Sequence, residues 1–292
     1  MSQLLVNAVV AGSLAALIAG GLALVYGVLG FFNLALGQFA LIAGYAAWWL
    51  SNEAGAPLPL AVVVGLLTVA MVTWIVFEVA INPFYRHHRF LPIVTTIAAS
   101  MILDGIILLL FGERSRAIVG AKHFLGAAGM RFSLEQIFLV GGTIMLMSAV
   151  AYVLQCTRFG RQIRASVQHR EAAGSLGISA SVLHRVLFIG SGVLAGAGGL
   201  FIGIDQVLMP SLCFPLTIKA YAALIAGGKD NLWGTILCAY LIALVEQLAV
   251  GLPWFGGQYI PASYQSVVAL LFIILILLFK PAGLFTRASR QA

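Results

Sequence analysis

The chain has 292 residues, of which 62% are hydrophobic and only 9% charged, with a mean hydropathy of +1.06. A soluble domain carries about 25% charged residues, so this composition excludes an ordinary globular enzyme, a disordered chain and a nucleic-acid binder that works from solution. The net charge of +7 does not bring back a nucleic-acid partner, because the basic residues fall almost entirely between apolar runs, where membrane proteins carry their topology signals.

The expected fold is all-α, a polytopic transmembrane bundle of about eight or nine segments at roughly 20 residues each, with residues 1–292 forming one domain. Met1-Ser2-Gln3 holds no Lys or Arg ahead of the first apolar run. It therefore lacks the basic start of a cleavable signal, and the first run is expected to stay as a membrane helix. In chain order the runs are Leu4–Leu29, Leu34–Leu50, Leu58–Ile81, Ile93–Phe111, Leu134–Leu154, Val182–Ile204, Leu216–Ala226, Leu232–Val250 and Ser266–Phe279. They are expected to be helical, because hydrocarbon offers the backbone no other hydrogen-bond partner. The run Leu216–Ala226 is too short to cross about 30 Å of hydrocarbon. Either it is extended at one end, or it is a broken or re-entrant helix that stops at Gly227-Gly228.

Sidedness follows from Lys and Arg. With the loop Asn82–Pro92 in the cytoplasm, eleven of the 16 basic residues fall on that side, four (Arg114, Arg116, Lys122, Arg131) fall outside, and Lys219 lies within a run. This predicts an N-terminus outside and a C-terminus in the cytoplasm. Lys219 is expected to snorkel to the outer surface.

Small residues mark the faces that pack. Gly192, Gly196, Gly199 and Gly203 make one stripe of the sixth long run, and Ala16, Gly20, Ala23 and Gly27 make another on the first. Both suit close helix packing, and a sliding surface is the other reading. Gly30, Asn33 and Gly37 punctuate the chain as at a tight turn or helix break.

Polar groups inside apolar runs are costly, by roughly 2.5–3.5 kcal/mol for a central carboxylate. Asp104 sits mid-run, Glu246 lies toward the outer end of its run, and Asn33 and Gln38 flank the start of the second. They are read as a polar translocation path, against interhelical hydrogen bonding as the alternative. Glu78 is placed at the membrane edge, paired with a loop base such as Arg86. The five histidines (His87, His88, His123, His169, His184) fall in or near loops without the helical spacing of a metal site. Cys156, Cys213 and Cys238 read as small hydrophobes.

No phosphate-binding loop is present: Gly228-Lys229-Asp230 lacks the hydroxyl, and Ala223 stands where the first glycine belongs. No nucleophile, metal or dinucleotide motif appears. The chain is therefore read as a non-enzyme that binds no cofactor of its own. Energy comes either from a gradient, as in a secondary transporter, or from a partner. The longest cytoplasmic loop, about 155–181, points to a partner. It carries short helical stretches, with Ala172, Ala173, Leu176 and Ile178 as a small apolar surface, Gly177 as a helix stop and Ser179 as the next cap. Such a helix suits a groove on a soluble protein. An interfacial helix held by anionic lipid through its arginines is the other reading.

Glu171-Ala172-Ala173 followed by Gly177 resembles the Glu-Ala-Ala-x-x-x-Gly part of the coupling loop of bacterial ABC importer permeases, without the downstream Ile-x-Leu-Pro. The whole chain from about Leu22 to Phe285 resembles the LivH-type permease of branched-chain amino acid ABC transporters. The matching stretches are Leu24–Gly30, Asn33–Gln38, Ala43-Gly44-Tyr45, Arg161–Ile178, Lys219–Gly228, Glu246 and Lys280–Phe285. Where many members carry His and Glu, this chain has Leu36 and Gln38. The resemblance implies an inner-membrane importer in which this permease pairs with a second, related permease. Two cytoplasmic ATPase subunits would bind ATP and Mg, and a periplasmic binding protein would deliver substrate. It further implies that Arg164, Glu171, Ala172, Ala173 and Gly177 couple the permease to the ATPases.

Overall fold

The computed structural model describes residues 2–85, 90–118, 124–127, 130–168, 170–177, 179–229, 231–252, 261, 264–280 and 283–285, with the backbone alone at 2, 124–127, 130–132, 170–172 and 266. Arg86, Arg89, His87, His88, Lys122, His123, His169, Arg287 and Arg290 lie outside the described residues, as does any pairing of Glu78 with Arg86.

The elements in chain order are α1 (Ser2–Leu29), α2 (Leu36–Trp48) with a π-helical turn (Trp49–Glu53), α3 (Leu58–Val76) with a second π-helical turn (Phe77–Ile81), and α4 (Leu91–Phe111). A hairpin of β1 (Phe124–Ala127) and β2 (Met130–Ser133) leads into α5 (Leu134–Cys156), α6 (Arg158–Gln168) and α7 (Arg170–Ser175). Then come α8 (Ala180–Asp205), α9 (Cys213–Gly227), α10 (Leu232–Gly251) and α11 (Gln265–Phe279). Among the described residues, seven helices are long and apolar enough to cross a membrane, and Val267–Phe279 is a shorter apolar helix. The hairpin, antiparallel with Phe124 opposite Ser133, was not foreseen from the sequence.

The short run at Leu216 is lengthened rather than re-entrant. A 3-10 turn (Pro210–Leu212) and the residues Cys213–Pro215 precede it, so the apolar span is Pro210–Gly227. It stops where Gly228 takes φ +101°.

Contacts sort the helix ends into two sets. One set joins Leu29, Tyr85, Arg185 and Glu78, and the Lys229 ammonium lies over the Tyr26 ring. The other joins Leu4 to Gly251, Arg116 to Leu208, and Ile118 to Gly203. Ser2 and Phe285 thus lie at opposite ends of the bundle, with α6 and α7 at the Phe285 end. The tail there is stitched down. Leu284 N donates to the Ala226 carbonyl at 2.7 Å, Asn231 Nδ2 donates to the Phe285 carbonyl at 3.1 Å, and Gly283 packs on Gly228.

The core is α1, α2 and α8. A helix that is apolar all round belongs in the interior, and α1 packs against α8, α9 and α10 while α2 packs against α3, α8 and α9. The helices α4, α5 and α11 stand at the rim with exposed residues such as Leu109, Phe138 and Leu278. Lipid tails are as apolar as leucine, so close approach at small residues holds the core together. Gly192 faces Thr73 of α3, Gly196 faces Val69 and Ala43, and Gly203 faces Ile118 and Leu208. Gly199 is the tightest of the four, because a Cβ there would strike the Ala40 carbonyl of α2. On α1, Ala16 and Ala23 are buried and Gly20 faces Met147, but nothing lies within 4 Å of a Cβ at Gly27, so that stripe ends before it.

Overpacking a full core costs about 1–3 kcal/mol. Gly199→Ala should therefore lower the thermal unfolding midpoint of the detergent-purified protein by several degrees. Gly190→Ala on the same helix, where a Cβ meets nothing within 4 Å, should not lower it.

Candidate functional site

The chain leaves its helical path between α1 and α2. Gly30 takes φ +72°, and the following residues are non-helical until Leu36. Phe31, Asn33, Ala35 and Leu36 are nonetheless buried. Buried non-helical backbone needs protein partners for its polar groups. Two threonines and an asparagine supply them here. Leu34 N donates to Thr96 Oγ1 of α4 at 3.4 Å, and that hydroxyl donates to the Ile93 carbonyl at 2.8 Å, with the Phe32 carbonyl 3.3 Å away as the alternative acceptor. Ala35 N donates to Asn33 Oδ1 at 3.1 Å. Gly37 N donates to Thr217 Oγ1 of α9 at 3.0 Å, and that hydroxyl donates on to the Cys213 carbonyl at 2.9 Å. The approach of α2 to α9 needs glycine at 37, since a Cβ would meet the Cys213 carbonyl. Tyr26, Phe32 and Tyr221 form an aromatic series beside the break, with centroids 4.6 and 5.3 Å apart.

This region has polar capacity to spare. Asn33 Nδ2, Gln38 Oε1, Tyr45 Oη, Tyr221 Oη and Asp104 Oδ1 are buried without a hydrogen-bond partner among the described residues. Most buried polar groups in native proteins are paired, so five such atoms on α2, α4, α9 and the break mark a strip able to exchange hydrogen bonds. Asp104 sits half-buried beside the Cys213 thiol. An open cleft of about 500 Å³, lined by Gly105, Leu108, Glu113 and Ser211 among others, adjoins it.

Glu246 lies elsewhere. It is 3% exposed on α10, and Lys219 Nζ sits 2.9 Å from Oε1 and 3.0 Å from Oε2. Gln265 Nε2 of α11 donates to Oε2 at 3.4 Å. Lys219 therefore turns inward to a carboxylate rather than snorkelling outward: pairing offsets a desolvation cost that neither charge bears alone. A separation of two helical positions, about 200° around the axis, puts Thr217 and Lys219 on opposite faces of α9. The structure thus sets Asn33 in the break, Gln38 near the start of α2 and Asp104 of α4 beside Cys213 of α9, while Glu246 pairs with Lys219 on the other face of α9.

At the Phe285 end, the Arg164 guanidinium donates to the carbonyls of Leu154 and Gln155. These are orphan acceptors of the last turn of α5, so the arginine fastens α6 to α5. Ile163 is buried, and so is Ala173 at 4%, which removes Ala173 from the exposed apolar surface expected of it. Leu176 remains at that surface, 79% exposed, and Gly177 stops the helix with φ +80°. Glu171 and Ala172 lie in α7 with side chains outside the described residues, as is Ile178. Ser179 holds the N-cap position of α8 but makes no side-chain cap bond. Glu78 pairs with Arg185 of α8 and accepts from Asn82 Nδ2 at 3.0 Å. His184 is buried in α8 against the Tyr85 ring, not at a loop.

Residues 4–277 match the family described as branched-chain amino acid transport system / permease component. The chain belongs to this family. The permease is 29% identical over 300 residues to the high-affinity branched-chain amino acid transport system permease protein BraD of Pseudomonas aeruginosa, covering 98% of this chain and 95% of that one. It is 27% identical over 304 residues to LivH of Escherichia coli K12, with the same coverages of 98% and 95%. Among solved structures, PsaBC from Streptococcus pneumoniae in complex with Fab is similar at a TM-score of 0.50 and 14% identity, over 94% of this chain and 90% of that one. At that identity the likeness shows the fold alone.

Sequence reasoning singled out Asn33, Gln38 and Asp104 but missed Thr96 and Thr217, which hold the break. A threonine in an apolar run carries little signal, because its hydroxyl commonly bonds its own helix. Thr96→Val and Thr217→Val keep the shape and remove the hydroxyl. Each leaves one amide without its acceptor, Leu34 N or Gly37 N, at about 1–3 kcal/mol for a buried group. Hydrogen exchange at Leu34 and Gly37 should accelerate roughly tenfold or more, and Thr→Ser at either site should restore it.

Proposed function

We propose that this permease is the membrane subunit of an ATP-driven importer of branched-chain amino acids in the bacterial inner membrane, with its N-terminus outside and its C-terminus in the cytoplasm. The observation that carries the reading is the family match across residues 4–277. The spacing of basic residues supports the orientation. The relatives BraD and LivH are permease proteins of branched-chain amino acid transport systems, and the substrate is carried over from them. The chain holds no nucleotide-binding motif, so ATP and Mg belong to two cytoplasmic ATPase subunits. A second related permease completes the membrane unit, and a periplasmic binding protein delivers the solute.

In this reading α6 and α7 are the ATPase contact, with Leu176 and the stretch Glu171–Gly177 as its tip. Arg164 ties α6 to the end of α5, and the Glu78–Arg185 pair ties α3 to α8. Closure of the ATPases would press on α7 and move α5 as a unit, switching the pathway between inward- and outward-facing states. The non-helical stretch between α1 and α2 supplies a natural hinge, and the unpaired groups of Asn33, Gln38, Asp104 and Tyr221 supply hydrogen bonds to a passing zwitterion. Lipid surrounds the rim.

Leucine uptake by the reconstituted four-part complex should stop without ATP inside and survive an uncoupler. Concentrative uptake by the permease alone would favour the gradient-driven reading instead. Leu176→Asp, at a side chain free of the bundle, should reduce ATPase co-purification at least tenfold with normal permease yield. Asp104→Leu should cut the uptake rate more than it cuts membrane insertion, and parental uptake in both Asp104→Leu and Asp104→Asn would leave Asp104 a structural residue.

A further inference from the structure

Tyr85 stands where three parts of the bundle meet. It is half-buried just past the second π-helical turn, and its own N–H closes that turn on the Ile81 carbonyl at 2.9 Å. Its hydroxyl donates to the Leu29 carbonyl at 3.4 Å. That carbonyl belongs to the last turn of α1, where a helix offers its acceptors no partner of its own. Its ring meets the buried Phe31, with centroids 6.2 Å apart. One side chain therefore touches the chain on both sides of Gly30, the residue at which α1 gives way to the break. A third contact runs to α8, where the buried His184 ring meets the Tyr85 ring edge-on at 4.8 Å.

His184 lies in the second turn of α8, shortly after Gly177 ends α7. The next residue, Arg185, pairs with Glu78 in the π-helical turn that leads to Tyr85, and Phe188 one turn on packs against Phe77 at 5.6 Å. The start of α8 thus grips the segment 77–85 through an ion pair and two ring contacts, and the two should move together. The contact at Leu29 is of another kind. Its 3.4 Å is long, and an ordinary hydroxyl bond would need an approach of about 0.6 Å. That is less than the roughly 1–2 Å helix shifts of switching proteins, so the strength of this bond depends steeply on where α8 stands. On the far side of the bond, Gly30 takes φ +72°, a residue type for which a change of backbone conformation meets little steric resistance.

From this we infer that Tyr85 is the positioning residue that carries movement of α8 to the break between α1 and α2. It rests on the ATP-driven importer reading proposed above and adds the link between the ATPase contact and the polar strip. Pressure on α7 displaces the start of α8, and the segment 77–85 follows through Arg185, His184 and Phe188. The Tyr85 hydroxyl then closes on or leaves the Leu29 carbonyl while its ring shifts Phe31. The chain turns at Gly30, and Asn33, whose amide nitrogen is buried without a partner among the described residues, is moved with it.

The test uses the complete complex in proteoliposomes, with Tyr85→Phe removing the hydroxyl alone and Tyr85→Leu removing the ring as well. ATP hydrolysis and leucine uptake are measured on the same vesicles. Leucine taken up per ATP hydrolysed should fall about threefold in Tyr85→Phe and roughly tenfold in Tyr85→Leu, with ATP hydrolysis within about twofold of the parental rate. Hydrogen exchange at Leu34 should differ at least about threefold between the nucleotide-free and the ATP–vanadate-trapped parental complex, and this difference should shrink in Tyr85→Phe and vanish in Tyr85→Leu. Tyr85→Phe decides alone if Tyr85→Leu does not assemble. A parental ratio of leucine to ATP in the variants, or equal losses of uptake and hydrolysis, would overturn the relay and leave the importer reading standing. So would a nucleotide-dependent difference at Leu34 that the substitutions leave unchanged. A parental complex that takes up no leucine with ATP would instead defeat the importer reading, and the relay with it.

Discussion

Hydrocarbon supplies no hydrogen bonds, and every departure from helix within the bundle has to be answered by a side chain. The stretch after Gly30 is the main such departure. Its amides reach Thr96, Asn33 and Thr217, which belong to α4, to the stretch itself and to α9. Three parts of the chain are thereby fixed to one another at a place where no regular ladder exists. The arrangement of α2 follows from it. Helix α2 begins inside the protein, reaches α9 through Gly37, and then runs along α8 against Gly199. A buried break held by three side chains costs more than a continuous helix, and such cost persists where motion or recognition uses it.

Helix α9 divides two polar environments. Cys213 and Thr217 look toward α2 and α4, where hydrogen-bond capacity stands unused. Lys219 looks toward α10 and α11, where charge meets charge. One strip holds unpaired hydrogen-bonding groups; the other holds a closed ion pair. A fifteen-residue helix with polar groups on both sides is poorly suited to face lipid, and accordingly it packs against α1, α2, α10 and α11.

Much of the fold was legible because spans in lipid announce themselves by length and hydropathy. The bounds Leu58–Ile81 and Leu134–Cys156 lie within two residues of the apolar runs read from the sequence. The break was legible too, since Gly30, Asn33 and Gly37 carry turn chemistry. What the sequence withheld were partnerships between distant residues. Lys219 and Glu246 are 27 positions apart, and nothing local tells a paired lysine from a snorkelling one. Arg164 reads as an exposed loop base until its guanidinium is seen on the carbonyls of α5. Ala173 belongs to an apolar patch in sequence, yet packing buries it. The short run at Leu216 was ambiguous because Pro215 and Pro210 hide its continuation; proline near a helix start is compatible with helix, while hydropathy alone marks a stop.

The stitch at the end of the chain fixes where the molecule tolerates engineering. Leu284 and Phe285 close the turn between α9 and α10 through backbone groups, and Gly283, at φ +92° against Gly228, admits no side chain. An affinity handle appended after Phe285 leaves that clasp whole. A truncation upstream of Gly283 strips acceptor and donor from the α9–α10 corner at once, and that corner lies directly beneath the Gly227–Gly234 crossing on which the two helices meet.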